Sequence, residues 1–181
     1  MRVIAGKYRG KKLKEFSLST TKPTLDRVKE SLFSSIQFDL IDAKVLDLFS
    51  GTGALGIECL SRGAEYVEFV DNNIEAIKII KQNLQGINAK FDVVKSDYMS
   101  HLNNIKTQSK QFDIILLDPP FNTDYGIKAI NYIIDNDILA DEGVIMYEKA
   151  YQTPFQLNIE GYNVISKKYG TVAIVKIVKN R

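Results

Sequence analysis

Asp118, Pro119, Pro120 and Phe121 close the run FDIILLDPPF, in which Ile114, Ile115, Leu116 and Leu117 are consecutive apolar residues. Such a run reads as a strand buried on both faces. Two prolines end it abruptly, because neither donates a backbone hydrogen bond and Pro120 keeps Pro119 extended. A carboxylate thereby stands on stiffened backbone at the carboxyl end of a central strand, where open α/β sheets bind ligands. The Asp118 side chain and the Pro119 carbonyl can both accept hydrogen bonds from the exocyclic amine of a nucleobase. That pulls the nitrogen lone pair out of conjugation and aims it at an electrophile, so that catalysis is a matter of orientation. Pro120 adds rigidity, and Phe121 offers a face on which a flipped-out base stacks. The plainer alternatives are a simple strand end for Asp118 and core packing for Phe121.

A second cluster lies in VLDLFSGTGALGIE, where Gly51, Thr52, Gly53 and Gly56 form a G-x-G-x-x-G between a strand and a helix. The glycines permit a tight turn and close approach of a ligand to the backbone. The next strand ends in Asp71, followed by Asn72, placed to accept hydrogen bonds from ribose hydroxyls. A dinucleotide would fit these features alone, but Asp47 opposes it. It precedes Gly51 by four residues, at the mouth of the turn where a pyrophosphate would sit. A carboxylate there suits the sulfonium and ammonium groups of S-adenosylmethionine instead. Asp97 closes the third strand and is placed to meet an adenine amino group. Asp47, Asp71, Asp97 and Asp118 thus end four successive strands at one sheet edge.

The elements that must carry these residues alternate. MRVIAGKYRGKKLK reads as a short two-stranded hairpin turning near Gly6–Gly10, and TLDRVKESLFSSI as a helix with Thr24 as N-cap. Strands follow at KVLDLF, YVEFVD, KFDVVK, FDIILLD and GVIMYEK, with helices or short helical stretches between them. GYNVISKKYG and TVAIVKIVK form a closing antiparallel hairpin about Gly170. The fold class is α/β: a Rossmann-like, doubly wound and mostly parallel sheet with a small N-terminal hairpin plus helix. Residues 1–23 read as a basic extension and 24–181 as the main domain.

Composition narrows the partners. The chain of 181 residues has a net charge of +2, but residues 1–29 carry +7, residues 30–160 carry −10 and residues 161–181 carry +5. Basic ends on an acidic body point to a polyanion, with Arg2, Lys7, Arg9, Lys11 and Lys12 as phosphate contacts. Cys59 is the single cysteine and His101 the single histidine. Cys59 reads as a packed thiol, and a Cys/His metal site is unavailable. The amino terminus lacks an apolar signal core, and no apolar run approaches the ~18–20 residues of a membrane span. A cytoplasmic, metal-free protein is expected.

The quoted segments resemble those of the RsmD-like bacterial methyltransferases almost end to end: MRVIAGKYRGKKL, KPTLDRVKESLF, LDLFSGTGALGIECLSRGA, DPPF and KKYGTVAIV. DPPF alone belongs to a broad class of amino-methyltransferases; the two amino-terminal motifs are much narrower. Lys22 and Thr52 stand where Arg and Ser are usual in the family. The resemblance implies a class I methyltransferase fold and transfer from S-adenosylmethionine to the N2 amine of a guanine in 16S ribosomal RNA, within a small subunit or its assembly intermediate. It further implies that Thr24, Asp26 and Arg27 lie near the cofactor, and that Asp118 to Phe121 hold the base. Other readings remain: a DNA adenine or protein-glutamine amino-methyltransferase sharing DPPF, a nicotinamide-dependent oxidoreductase, or a non-catalytic RNA-binding module.

Overall fold

The computed structural model describes residues 1–16, 23–153 and 159–180, and of residues 23–26 the backbone alone. Seven strands form one sheet: β1 (Lys44–Asp47), β2 (Tyr66–Asp71), β3 (Lys90–Lys95), β4 (Phe112–Leu117), β5 (Leu139–Ala150), β6 (Tyr162–Tyr169) and β7 (Val172–Lys179). Their order is β3-β2-β1-β4-β5-β7-β6. β1 to β5 are parallel, while β7 runs antiparallel to both β5 and β6. The chain turns from β6 to β7 at Gly170, whose φ is 62°. The sheet therefore has the expected mostly parallel, doubly wound form with an antiparallel end.

The helices are α1 (Pro23–Ser34), α2 (Ala54–Ser61), α3 (Ile74–Asn83), α4 (Tyr98–Thr107) and α5 (Tyr125–Asp135). One face of the sheet packs Val28 and Leu32 of α1, Ile57 and Leu60 of α2 and Ile77 and Ile80 of α3 against Val45, Val67, Ile114, Leu116 and Met146. The other packs Leu102 and Ile105 of α4 and Ala129, Ile130 and Ile133 of α5 against Leu46, Ile115, Leu117 and Ile145. Alternate residues of β4 thus enter opposite cores, which explains its unbroken apolar sequence. α2 lies close to β2 because position 56 is glycine: a Cβ there would come within 2.3 Å of the Phe69 ring.

Two local expectations change. Pro23 is the first helical residue of α1, so Thr24 lies inside the helix rather than at its N-cap. Proline suits that position because it has no N–H to leave unpaired. Residues 1–14 are a compact looped segment with one antiparallel bridge, Arg2 to Lys12, rather than two strands. Its shape is imposed from outside. The backbone N–H groups of Ile4 and Ala5 donate to the two oxygens of Glu58 at 2.9 and 3.0 Å, and that of Tyr8 to Ser61 Oγ at 2.9 Å. Glu58 is fully buried and also pairs with Lys29 at 3.1 Å and Arg62 at 2.8 Å. A chain whose donors are taken up by α2 has fewer left for a ladder of its own. Val3 and Leu13 enter the same core as α1 and α2, so residues 1–16 pack as part of the main body.

Among the described residues, no helix is long and apolar enough to cross a membrane, and no group of three or more His, Cys, Asp or Glu is arranged to hold a metal ion. Cys59 is fully buried in the α2 core, and burial pushes its thiol pKa well up.

Candidate active site

The strand order reverses between β1 and β4, whose neighbours lead away in opposite directions. The crevice at the carboxyl ends of these strands is the place where such sheets bind ligands. Leu48 to Gly53 form the connection from β1 to α2, with Gly51 and Gly53 at φ of 54° and 77°. Ser50 pins this loop: its hydroxyl donates to the Asp47 carbonyl at 2.6 Å and accepts from Val70 N–H at 2.9 Å. Asp71 fixes it from the side, accepting from Gly51 N–H at 2.8 Å on one oxygen and from Asn73 N–H at 2.8 Å on the other. Asn83 of α3 holds it from beneath, donating to the Thr52 carbonyl at 2.9 Å.

Asp47 does not stand at the mouth of the turn as its spacing suggested. Its side chain is 1% exposed and points under the loop, where Oδ2 accepts from Gly56 N–H at 3.0 Å. Oδ1 is buried with no hydrogen-bond partner. Burial, opposed by the Gly56 bond and reinforced by repulsion from Asp118 and Asp71, pushes its pKa up to about 7. Asp97 ends the β3 connection, but it also serves as N-cap of α4: Oδ2 accepts from the backbone of Met99 and Ser100 at 3.1 Å each.

Two adjoining cavities open here, sharing Phe16, Phe49, Gly51 and Asp118 in their walls. The larger, about 380 Å³, brings together Gly51, Asp71, Asn72, Asp97, Asp118, Pro119 and Pro120. Its aromatic wall is a chain of rings: Tyr98 lies 5.2 Å from Phe49 and 5.0 Å from Tyr125, centroid to centroid. The smaller, about 290 Å³, lies between the glycine loop and α1 and takes in Thr52, Lys29, Asp118 and Glu148. Gly53 supports the loop without lining either cavity.

Asp118 opens onto both cavities. Its residue surface is exposed within the crevice, yet the surrounding walls displace bulk water from the carboxyl, and that desolvation pushes its pKa up to about 6. Glu148, near the end of β5, is pushed up to about 8 by burial and then by Asp118. Phe121 is 49% exposed and therefore not a core residue; it stands just outside the cavity walls. Thr24 and Asp26 have side chains outside the described residues. Arg27 is exposed on α1 and lines neither cavity, whereas Lys29, two residues on, does. Arg2, Lys7, Arg9, Lys12 and Lys14 are exposed on the amino-terminal segment, and Lys11 donates to the Gln85 carbonyl at 2.6 Å.

The family model described as "Conserved hypothetical protein 95" matches residues 1–178. The chain belongs to this family, that of the RsmD proteins. It is 31% identical over 182 residues to "Ribosomal RNA small subunit methyltransferase D" of Haemophilus influenzae, covering 99% of this chain and 94% of that protein. It is 37% identical over 149 residues to the protein of the same name from Escherichia coli K12, covering 82% and 74%. The solved structure of Escherichia coli yhhF superposes with a TM-score of 0.84 at 30% identity, over 99% of this chain and 98% of that one. Within the family frame, the residues that sequence reasoning missed are Glu148, Lys29 and the Phe49–Tyr98–Tyr125 wall. Lys29 and Phe49 lie inside the quoted segments KPTLDRVKESLF and LDLFSGTGALGIECLSRGA but carry no signal of their own there, and Glu148, Tyr98 and Tyr125 reach the site through the fold.

Proposed function

We propose that the protein transfers a methyl group from S-adenosylmethionine to the N2 amine of a guanine in small-subunit (16S) ribosomal RNA, acting in the cytoplasm on the subunit or its assembly intermediate. The observation that carries this reading is Asp118, on a proline-stiffened strand end, facing both cavities without a protein partner among the described residues.

The residues fit the cofactor. Asp71, Asp97 and Asp118 line the larger cavity beside the glycine loop, and among the described residues no Lys or Arg lines it. Such a field repels a pyrophosphate and favours a cation, which argues against a nicotinamide dinucleotide. Asp71 and Asn72 would hold the ribose, the Gly51 backbone the amino-acid end, and Asp97 with Tyr98 the adenine, while Asp47 would act from beneath by fixing the loop. Bound there, S-adenosylmethionine supplies an electrophilic methyl on a sulfonium, whose carbon–sulfur bond breaks with the electron pair left on sulfur.

The chain's own residues do the rest. Asp118 and the Pro119 carbonyl accept hydrogen bonds from the guanine 2-amino group and localise its lone pair for in-line attack. The new nitrogen–carbon bond leaves the amine cationic, and negative charge at Asp118 stabilises that developing charge. The proton then leaves nitrogen for Asp118 or water. The exposed ring of Phe121 stacks on the extruded base. Phosphate contacts by Arg2, Lys7, Arg9, Lys11 and Lys12 position the substrate without reading its sequence. Two measurements test the reading together. The purified protein should bind S-adenosylmethionine and not NADH in a calorimetric titration, and it should pass labelled methyl groups to small subunits from cells lacking this gene. Labelling of DNA or a protein instead would favour the other amino-methyltransferase classes.

A further inference from the structure

Glu148 is a buried-strand acid that no motif marks, yet the fold sets it beside the reacting centre. Leu117 of β4 pairs with Tyr147 of β5, so Asp118 and Glu148 follow at neighbouring positions on adjacent parallel strands. Strands in a sheet lie ~4.8 Å apart, and cross-strand neighbours point to the same face. For Glu148 that face is the one holding Val144 and Met146, under α1 and α2. Both carboxyls line the smaller cavity, whose volume of about 290 Å³ lies near the lower end of the ~300–1,000 Å³ range of small-ligand sites. Its positive groups are already engaged: Lys29 pairs with Glu58, and the amino terminus pairs with Glu15. Neither Asp118 nor Glu148 has a hydrogen bond or ion pair from the described residues.

Two unpartnered carboxyl groups side by side, when both are ionised, suit a ligand edge with two adjacent donors. Guanine has one, its N1–H next to its 2-amino group. Adenine and cytosine each set an amine beside a ring nitrogen that accepts, which a second carboxylate repels. We propose that Glu148 is a specificity-determining residue of the base pocket, accepting a hydrogen bond from N1–H of the guanine whose 2-amino group Asp118 holds. This rests on the guanine reading above. The groups facing Glu148 are Asp118 at the end of β4, Lys29 of α1, and Glu15 with the amino terminus on the first segment; Ile174 pairs with it from β7. Because burial and Asp118 hold Glu148 protonated in the free protein, capture of N1–H by the ionised form releases a proton. Guanine binding therefore strengthens as pH rises from 6 to 8.

The test uses small subunits reconstituted with either guanine or 2-aminopurine at the methylated position. 2-Aminopurine keeps the 2-amino group but presents an acceptor at N1. Equilibrium binding is measured in the presence of S-adenosylhomocysteine, so the readout does not depend on turnover. At pH 8 and above, where Glu148 ionises, the wild-type protein should prefer guanine by roughly tenfold or more, the scale for a hydrogen bond to a charged group, and this preference should shrink as pH falls toward 6. Glu148→Gln, whose amide can either donate or accept, should bring the preference near parity and remove its pH dependence. An unchanged preference in Glu148→Gln, or a flat pH profile in the wild type, would overturn the role of Glu148. The underlying reading fails separately: wild-type protein would then leave no N2-methylguanosine in natural subunits.

Discussion

The two halves of the crevice are built on opposite rules. On the glycine-loop side, carboxylates are spent on backbone: Asp71 takes Gly51 and Asn73, Asp47 takes Gly56, and Asp97 takes Met99 and Ser100. On the β4–β5 side, Asp118 and Glu148 have no such partners among the described residues. The first half is organised before any ligand arrives, at the cost of one buried oxygen on Asp47 without a partner. The second keeps its acceptors open and meets the resulting repulsion by raising their proton affinity. A preorganised half serves a ligand that is the same at every turnover. Under the proposed reaction, the open half is the one that would meet a group whose charge changes.

The contrast can be broken most severely at Asp118. Replacing it by Ala should lower the methyl-transfer rate roughly 10²–10³-fold, the scale for losing one oriented electrostatic partner, while cofactor affinity stays nearly intact. Near wild-type turnover in that variant would remove Asp118 from the chemistry. Phe121→Ala should weaken substrate capture by about 1–3 kcal/mol, the range for base–aromatic stacking. Since Phe121 is half exposed, its melting temperature should hardly move; a large fall would assign the ring to packing.

A gentler test uses pH. Asp47, Asp118 and Glu148 all have folded-state pKa values raised to about 6–8. Between their unfolded values near 4 and these folded values, the native state holds more protons than the unfolded chain, so stability falls as pH rises. Glu68, whose pKa is lowered to about 2 despite burial by its bonds to His101, Lys110 and Tyr66, is ionised in both states above pH 6 and adds no slope there. The melting temperature of the ligand-free protein should therefore drop from pH 6 to 8, and Glu148→Gln should flatten the drop. A profile that rises over this window would contradict the raised values.

The smallest effect lies farthest from the crevice. Replacing Arg9, Lys11 and Lys12 together by Ala should leave cofactor affinity alone and flatten the salt dependence of substrate binding by roughly 0.7 per lost contact for a single strand. An unchanged salt slope would make this segment structural, and would direct attention to the exposed Lys167 and Lys168 of β6.

Much of this arrangement was legible before any coordinates. The segments at 66–71 and 90–95 matched their strands residue for residue, because their β-branched and aromatic residues stand between polar connections, even though β3 is a half-exposed edge strand. DPPF stood out because two prolines forbid most alternatives. What escaped was whatever depends on contact across the sheet. Glu148 stands at the polar end of the GVIMYEK strand, and only the pairing of β5 with β4 brings it beside Asp118. Asp47 has the right spacing for the mouth of the loop, yet the demand of the Gly56 N–H draws it beneath. The amino-terminal hairpin has the residues for two strands, but its donors are claimed by Glu58 and Ser61, a competition between distant segments that no local pattern records.

The most direct test is nucleoside analysis of small-subunit RNA from cells lacking this gene after incubation with labelled S-adenosylmethionine and either wild-type protein or Asp118→Ala. The expected result is label in N2-methylguanosine with the wild-type protein and almost none with the variant. Label on any other atom or base, or equal labelling by both proteins, would contradict the assignment of Asp118 as the group that presents a guanine amine.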